Sequence, residues 1–123
     1  MIKTRGILKY GPGITAKILL DRTIQDYYLS LLPKSKDVQP QKYQTHVTVV
    51  RLNKELPTKM EFWEKHANEI VEIKYIPIVY FDETYYFLKA FSDRIGDIRE
   101  ELELPRFRVG FDCYHITLGN TKQ

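Results

Sequence analysis

Apolar and β-branched runs alternate with polar or glycine-containing stretches in the first third of the chain. The runs TRGILKY (4–10) and ITAKILLD (14–21) are typical of strands, and the GPG between them predicts a turn. The stretch PKSKDVQPQK (33–42) predicts a polar loop. The run that follows, QTHVTVVR (44–51), again has strand composition.

Apolar side chains then recur at helical spacing between the second predicted strand and the loop. Asp21 stands where an N-cap belongs, and Pro33 stops the helix. The positions at i, i+3, i+4 and i+7 are Ile24, Tyr27, Tyr28 and Leu31.

The rest of the chain shows a second set of elements. A capping-box pattern predicts a helix over 58–68, and strand-like runs follow at 70–81 and 84–91. Ser92 opens a further predicted helix, which ends before a loop at 105–112. The last run, CYHITLGN (113–120), is again typical of a strand.

The order strand, strand, helix, loop, strand therefore occurs twice. It predicts an α+β protein in which residues 1–123 form a single domain. Within it we expect two pseudo-symmetric lobes, 1–53 and 69–120, each of antiparallel strands with flanking helices, around a central cleft. The helix over 58–68 would link the lobes.

Each half ends in a strand that contains His-x-Thr. Side chains two residues apart point to the same face of a strand, so His46 lies beside Thr48 and His115 beside Thr117. Two of the three histidines have threonine at this spacing. The pairing at matching places favours function over chance, although a single strand histidine is usually structural.

Composition narrows the class of protein. The chain is 43% hydrophobic and 28% charged, as globular domains are, and it contains one cysteine, so an intrachain disulfide is excluded. No apolar run approaches the roughly 20 residues of a membrane helix, and Lys3 to Gly6 interrupt any secretory signal. We expect a cytoplasmic protein without a membrane partner, and no obligate protein partner is evident.

Charge is divided unevenly. Residues 1–54 contain ten Lys and Arg and three Asp and Glu, whereas residues 55–123 contain nine and thirteen. A basic half suits an anionic ligand such as a nucleotide or RNA, but a solvated basic surface is an equally good explanation.

Paired imidazoles suit the cleavage of a phosphodiester. Their ordinary pKa of about 6.5 allows one ring to be neutral and the other cationic at working pH. The neutral ring accepts a proton from the attacking hydroxyl, and the cationic ring protonates the leaving oxygen. The threonine hydroxyls can donate to the non-bridging phosphate oxygens. This scheme needs no metal and no cofactor, and one cysteine with three histidines shows no zinc-ligand spacing.

The HVT and HIT motifs on strands of a duplicated α+β chain resemble the 2H phosphoesterases, which include cyclic phosphodiesterases and 2′,5′-phosphodiesterases. The short length, LKYGPG, YQTHVTVVR and the 69-residue spacing of the histidines resemble the phage anti-CBASS enzymes most. Those enzymes hydrolyse cyclic di- and trinucleotide signals of bacterial immunity, which would place the protein in the host cytoplasm. The acidic residue that this group uses near its C-terminus has no counterpart here, because no Asp or Glu follows the second motif.

That resemblance implies that His46 and His115 are catalytic and that Thr48 and Thr117 bind phosphate. By the same analogy His46 is the base and His115 the acid, and Tyr10 stacks on a base.

Further candidate ligand-binding residues flank the first predicted hairpin and the first motif strand. They are Lys9, Lys17 and Tyr43, although tyrosines also fill sheet surfaces and nine occur here. His66 and Cys113 are expected to be structural.

Alternative functions remain open. The ligand is expected to be a cyclic oligonucleotide or a short RNA-derived molecule. A 2′,3′-cyclic phosphodiesterase or a 2′,5′-oligoadenylate phosphodiesterase acting on RNA ends has the same motifs. A non-catalytic protein that sequesters nucleotides, or a scaffold, requires no histidine pair.

Overall fold

The computed structural model describes residues 1–34 and 37–121, which form eight β-strands, two α-helices and one 3-10 turn, Met60–Phe62. The first half contains β1 (Ile2–Tyr10), β2 (Ala16–Leu19), α1 (Arg22–Ser30), β3 (Val38–Pro40) and β4 (His46–Val50). The second half contains β5 (Ile70–Tyr75), β6 (Tyr80–Phe81), β7 (Tyr85–Phe91), α2 (Asp93–Glu101) and β8 (Tyr114–Thr121).

Six of the strands close into an antiparallel barrel. Around the barrel the order is β1, β2, β4, β8, β7, β5 and back to β1. Each half of the chain supplies three consecutive strands of this ring, and the halves meet where β4 pairs with β8 and where β1 pairs with β5. The short strands β3 and β6 extend β8 and β7.

The core fills the interior of the barrel. One face of every barrel strand is almost completely buried, and these side chains form one continuous cluster. Gly6 permits the close packing of β1 on β2, since a Cβ at this position would lie 2.4 Å from Cγ2 of Ile18. The cluster includes Leu8, Ile18, Val47, Ile73, Leu88 and Ile116. The opposite face of each strand forms the outside of the barrel.

Both α-helices begin at the predicted N-caps. The Asp21 carboxylate accepts from the backbone N–H of Thr23 at 2.9 Å, and the Ser92 hydroxyl accepts from that of Ile95 at 3.3 Å. Each cap satisfies a backbone donor that has no partner within the helix. Tyr28 of α1 and Ile98 of α2 add to the core.

The prediction of an α+β fold is confirmed, whereas the two lobes around a central cleft are not. Strands of both halves join in one barrel, and its centre is filled with side chains rather than open. When the short strands β3 and β6 are left aside, the two halves nevertheless repeat the order strand, strand, helix, strand.

The predicted helix over 58–68 is wrong. Only the 3-10 turn forms there, because Trp63 is extended and Glu64 and Asn68 have φ angles of 66° and 69°. Positive φ at these residues is incompatible with a right-handed helix.

Two other boundaries differ from the predictions. The loop predicted over 33–42, of which residues 35 and 36 lie outside the described residues, contains β3. Pro40 fits there because β3 is an edge strand. The run 70–81 divides into β5 and β6, since the chain turns at Pro77. Neither α-helix in the described ranges has the length and apolar character that a membrane span requires.

Candidate active site

The register of β4 and β8 brings the two His-x-Thr motifs together. Val47 pairs with Ile116, and extending the antiparallel ladder by one residue sets His46 opposite Thr117 and Thr48 opposite His115. Opposed residues share a face and have Cβ atoms about 4.5–5.5 Å apart, while diagonal neighbours lie at about 7–8 Å. We call these four side chains the His/Thr square. Its histidines occupy one diagonal and its threonines the other.

The square lies on the outer face of the barrel. Val47 and Ile116 are fully buried inside it, so their neighbours along each strand point outward. All four side chains of the square are half-buried, which leaves them accessible to a ligand.

The ring of His46 is oriented by its own backbone. Its Nδ1 lies 2.6 Å from the carbonyl oxygen of Gln44, which can only accept, so Nδ1 carries the hydrogen. In the neutral ring Nε2 is therefore the nitrogen with a free lone pair. Burial lowers the pKa of His46, and the positive charge of Lys17 lowers it further, although the hydrogen bond to Gln44 opposes this shift. These properties suit a proton acceptor.

His115 lies between two aromatic rings. Its centroid is 4.6 Å from that of Phe87 and 5.3 Å from that of Phe111, which meets it edge-on. Burial lowers the pKa of His115, and the nearby cations Arg108 and Lys89 add to the shift. Asp82 and Asp112 oppose it.

A cavity of about 100 Å³ opens beside His115. We call it the His115 cavity. Thr48 and Thr117 line it together with Arg99 and Arg108. Arg99 is neutralised by Glu55, whereas Arg108 has no ion pair with any described residue and lies 4.4 Å from the Phe111 ring. The cavity therefore presents two hydroxyls, an imidazole and an uncompensated cation, a set that matches a phosphate group. Its other lining residues are Cys113 and Tyr114.

Hydrogen bonds hold the segment that supplies Arg108. The buried guanidinium of Arg99 donates to the Pro105 carbonyl at 2.7 Å and to the Val49 carbonyl at 2.7 Å. The Tyr114 hydroxyl donates to the Arg106 carbonyl at 2.6 Å. These contacts tie the loop between α2 and β8 to β4, next to the His/Thr square.

A wider groove of about 330 Å³ lies beside His46 and shares Thr48 with the cavity. We call it the His46 groove. Three cations line it, Lys17, Arg51 and Lys54, and the Lys17 ammonium lies 5.3 Å from the centroid of the Tyr43 ring. The groove is completed by Thr15, Gln41 and Leu52.

Lys17 and Tyr43, two of the residues predicted to bind ligand, lie at this site, but Lys9 and Tyr10 do not line it. Tyr10 shares its strand face with buried Leu8, and its ring packs edge-to-face on Trp63 at 4.8 Å. Lys9 donates to the side-chain oxygen of Asn68 at 2.5 Å. A role for Tyr10 in stacking on a base is therefore not supported by its packing.

Arg51 and Arg108 are functional candidates that sequence reasoning missed. Strict alternation from His46 predicts that Val50 faces outward and Arg51 inward. A bulge opposite Ala16 and Lys17 instead leaves both Val49 and Val50 buried, so Arg51 returns to the outer face. Arg108 lies in a loop whose path no periodicity predicts.

The two residues expected to be structural have contacts of that kind. His66 Nε2 lies 2.8 Å from a Glu101 oxygen and Nδ1 lies 3.1 Å from the Arg94 guanidinium. Cys113 is buried, and burial raises the pKa of its thiol. Within 1–34 and 37–121 we find no cluster of three or more His, Cys, Asp or Glu side chains suited to a metal ion.

Comparisons with known proteins identify no relative of this chain. No protein-family model matches the chain, and neither curated proteins nor solved structures give a match.

Proposed function

We propose that this protein is a phosphodiesterase of the 2H type that hydrolyses 3′–5′ linkages of cyclic di- or trinucleotides. The observation that carries the proposal is the His/Thr square, in which two imidazoles and two hydroxyls from distant parts of the chain share one face of the barrel. His115 and both threonines line the His115 cavity, and His46 lines the groove that adjoins it at Thr48. The likeness to the anti-CBASS enzymes supports the cyclic substrate.

The square provides each proton transfer of the reaction. Nε2 of His46 takes the proton of a ribose 2′-hydroxyl, whose oxygen attacks the phosphorus. The bond from phosphorus to the 5′-oxygen breaks, and protonated His115 gives that oxygen its proton. The products are a 2′,3′-cyclic phosphate and a 5′-hydroxyl, and water can later open the cyclic phosphate by the reverse roles. Each transfer typically contributes 10²–10⁴ in rate.

The threonines and Arg108 stabilise the negative charge on the non-bridging oxygens of the phosphate. Thr48 and Thr117 occupy the diagonal between the histidines, so their hydroxyls can donate to the two non-bridging oxygens. The Arg108 guanidinium supplies a charge-assisted donor in the same cavity. Because side chains serve every step of this scheme, we expect activity to persist in EDTA.

The test is product analysis by mass spectrometry on three substrates in EDTA. They are a 3′–5′ cyclic dinucleotide, a 2′,5′-linked oligoadenylate and an RNA end that carries a 2′,3′-cyclic phosphate. We expect linearisation of the ring and its loss in His46→Ala and His115→Ala, with His66→Ala as the histidine control. Unfolding temperatures of all variants separate chemistry from folding.

The alternative functions predict other products. Turnover confined to the 2′,3′-cyclic or the 2′,5′ substrate assigns the protein to RNA ends, a use that the small size of the His115 cavity also favours. A ligand that is bound and returns unchanged after heat denaturation identifies a sequestering protein. Wild-type turnover by both histidine variants would refute the acid–base assignment.

A further inference from the structure

The side chains that surround His115 differ from those that surround His46. His115 is packed between Phe87 and Phe111. His46 borders the His46 groove, which carries three cationic side chains. A ligand that places one phosphate in the square therefore meets two aromatic rings and Arg108 on the His115 side and three cationic side chains on the His46 side.

The cations of the groove form no ion pair with the described residues around them. Among the described residues that line it there is no carboxylate, and neither Lys17, Arg51 nor Lys54 forms an ion pair with a described side chain. Glu55 is the nearest acid along the chain, but its carboxylate accepts two hydrogen bonds from the Arg99 guanidinium and one from the Arg51 backbone N–H. Three like charges around one concave surface attract an anionic ligand.

The His46 groove adjoins the His/Thr square. Thr48 belongs to both the His115 cavity and the groove, and Lys17 pairs with Thr48 across β2 and β4. Adjacent strands lie about 4.8 Å apart, so the Lys17 side chain reaches an anion next to the one held by Thr48.

We propose that the His46 groove is a binding site for a second phosphate, held by Lys17, Arg51 and Lys54. The inference rests on the proposed function, since it takes His46 as the base. The ribose whose 2′-hydroxyl attacks then lies on the His46 side, and the phosphate in the groove is the one on the 5′-oxygen of that same nucleoside. The substrate class is thus an oligonucleotide with a phosphate on the 5′ side of the bond that breaks.

The test compares three linear dinucleotides that differ only in a terminal phosphate: UpA, pUpA and UpAp. We expect kcat/KM for pUpA to exceed that for UpA by about tenfold, the value of one charge-assisted hydrogen bond, whereas UpAp resembles UpA. Lys17→Met and Lys54→Met should each reduce the ratio of pUpA to UpA toward one. Lys3→Met removes a lysine from the same barrel face far from the groove and should leave the ratio unchanged.

Binding of the 2′-deoxy dinucleotides, which lack the attacking hydroxyl, gives a second measurement. The 5′-phosphate should tighten binding by a similar factor, and the gain should shrink in Lys17→Met and at high salt.

A 5′-phosphate without effect, or an effect that survives in both lysine variants, would overturn the inference. A preference for UpAp would place the second phosphate on the other side and overturn the assignment of His46 as base. If neither these dinucleotides nor the cyclic dinucleotide is cleaved but the 5′-phosphate still tightens binding through Lys17, the proposed function fails and the subsite remains.

Discussion

Val47 of β4 faces Ile116 of β8 across the antiparallel ladder, and both side chains are fully buried inside the barrel. This apolar pair fixes the register at the point where the two halves of the chain meet. A shift by one residue would turn the buried side chains outward and the two His-x-Thr motifs inward. Burial of two aliphatic side chains therefore holds the His/Thr square together.

Removal of a hydroxyl from the square should reduce the rate without unfolding the barrel. Thr48→Val and Thr117→Val keep the shape of the side chain but delete a donor to the phosphate, and we expect kcat to fall about 10²-fold in each. Steady-state kinetics on the cyclic dinucleotide measures the loss. Thr4→Val, on β1 away from the square, is the matched control, and an equal loss there would mean that the effect is structural.

The roles of the two histidines can be separated with a substrate whose leaving 5′-oxygen is replaced by sulfur. A thiolate leaves without a proton because the pKa of a thiol is near 8.5. His115→Ala should therefore recover most of its rate on the sulfur substrate, whereas His46→Ala should remain slow. Recovery by His46→Ala instead would exchange the roles of acid and base.

The buried pair of Arg99 and Glu55 should be decisive for stability. Arg99 is 1% exposed, and Arg99→Met removes the guanidinium that donates to the Glu55 carboxylate and to two backbone carbonyls. Loss of one partner of a buried pair costs about 3–5 kcal/mol of unfolding free energy. Urea denaturation measures this loss of unfolding free energy. The control Arg106→Met, whose ion pairs lie at the surface of α2, should reduce the unfolding free energy much less. A similar cost for both would show that the Arg99 pair has no special weight.

The pair of Arg99 and Glu55 should also make the free energy of unfolding depend on pH. Burial alone would raise the pKa of the Glu55 carboxyl, but hydrogen bonds from Arg99 and from the Arg51 backbone hold it below its ordinary value. The stabilisation is therefore complete above the ordinary value for glutamate and is lost as pH falls through the folded value. Unfolding curves at descending pH should show a larger loss of stability in the wild type than in Arg99→Met.

Sequence patterns predicted the elements better than their assembly. Local features were sufficient for this. Hydrogen bonds between near neighbours form the N-caps at Asp21 and Ser92. The pleat of a strand sets the alternation around His46 and His115. Closure into one barrel depends on β1 pairing with β5 and β4 with β8, contacts between distant residues that no period reveals.

The same limit applies to the site. The histidines and threonines are recognisable by spacing, whereas Arg108 reaches the cavity only through the contacts that Arg99 and Tyr114 make with its loop. Arg51 reaches the groove only because a bulge breaks the alternation of β4. These residues are placed by tertiary structure, so their identity alone carries no functional signal.

The activity should be greatest on the acid side of neutrality. In the free protein burial lowers the pKa of both histidines below about 6.5. As pH rises, the rate increases while His46 loses its proton and decreases while His115 loses its own. Both limbs of the kcat/KM profile should therefore lie below pH 6.5, with a steady fall from pH 6.5 to 8. In the pH profile of kcat, the limb that reports His115 should lie at a higher pH than in the profile of kcat/KM, because the bound phosphate favours the protonated ring. A kcat/KM maximum above pH 7 would contradict this.

Different cations lower the pKa values of His46 and His115, so single substitutions should shift the two pKa values independently. After burial, the charge that lowers the pKa of His46 is Lys17, and the leading one at His115 is Arg108. Lys17→Met should raise the pKa of His46 alone, and Arg108→Met should raise that of His115 alone, because each removes a like charge from one ring. NMR titration of the imidazole protons measures both values in each variant, so each variant is the control for the other. Equal shifts of both rings in either variant would mean that the two imidazoles titrate as one coupled unit, and the assignment of separate charges to the two ends of the square would be wrong.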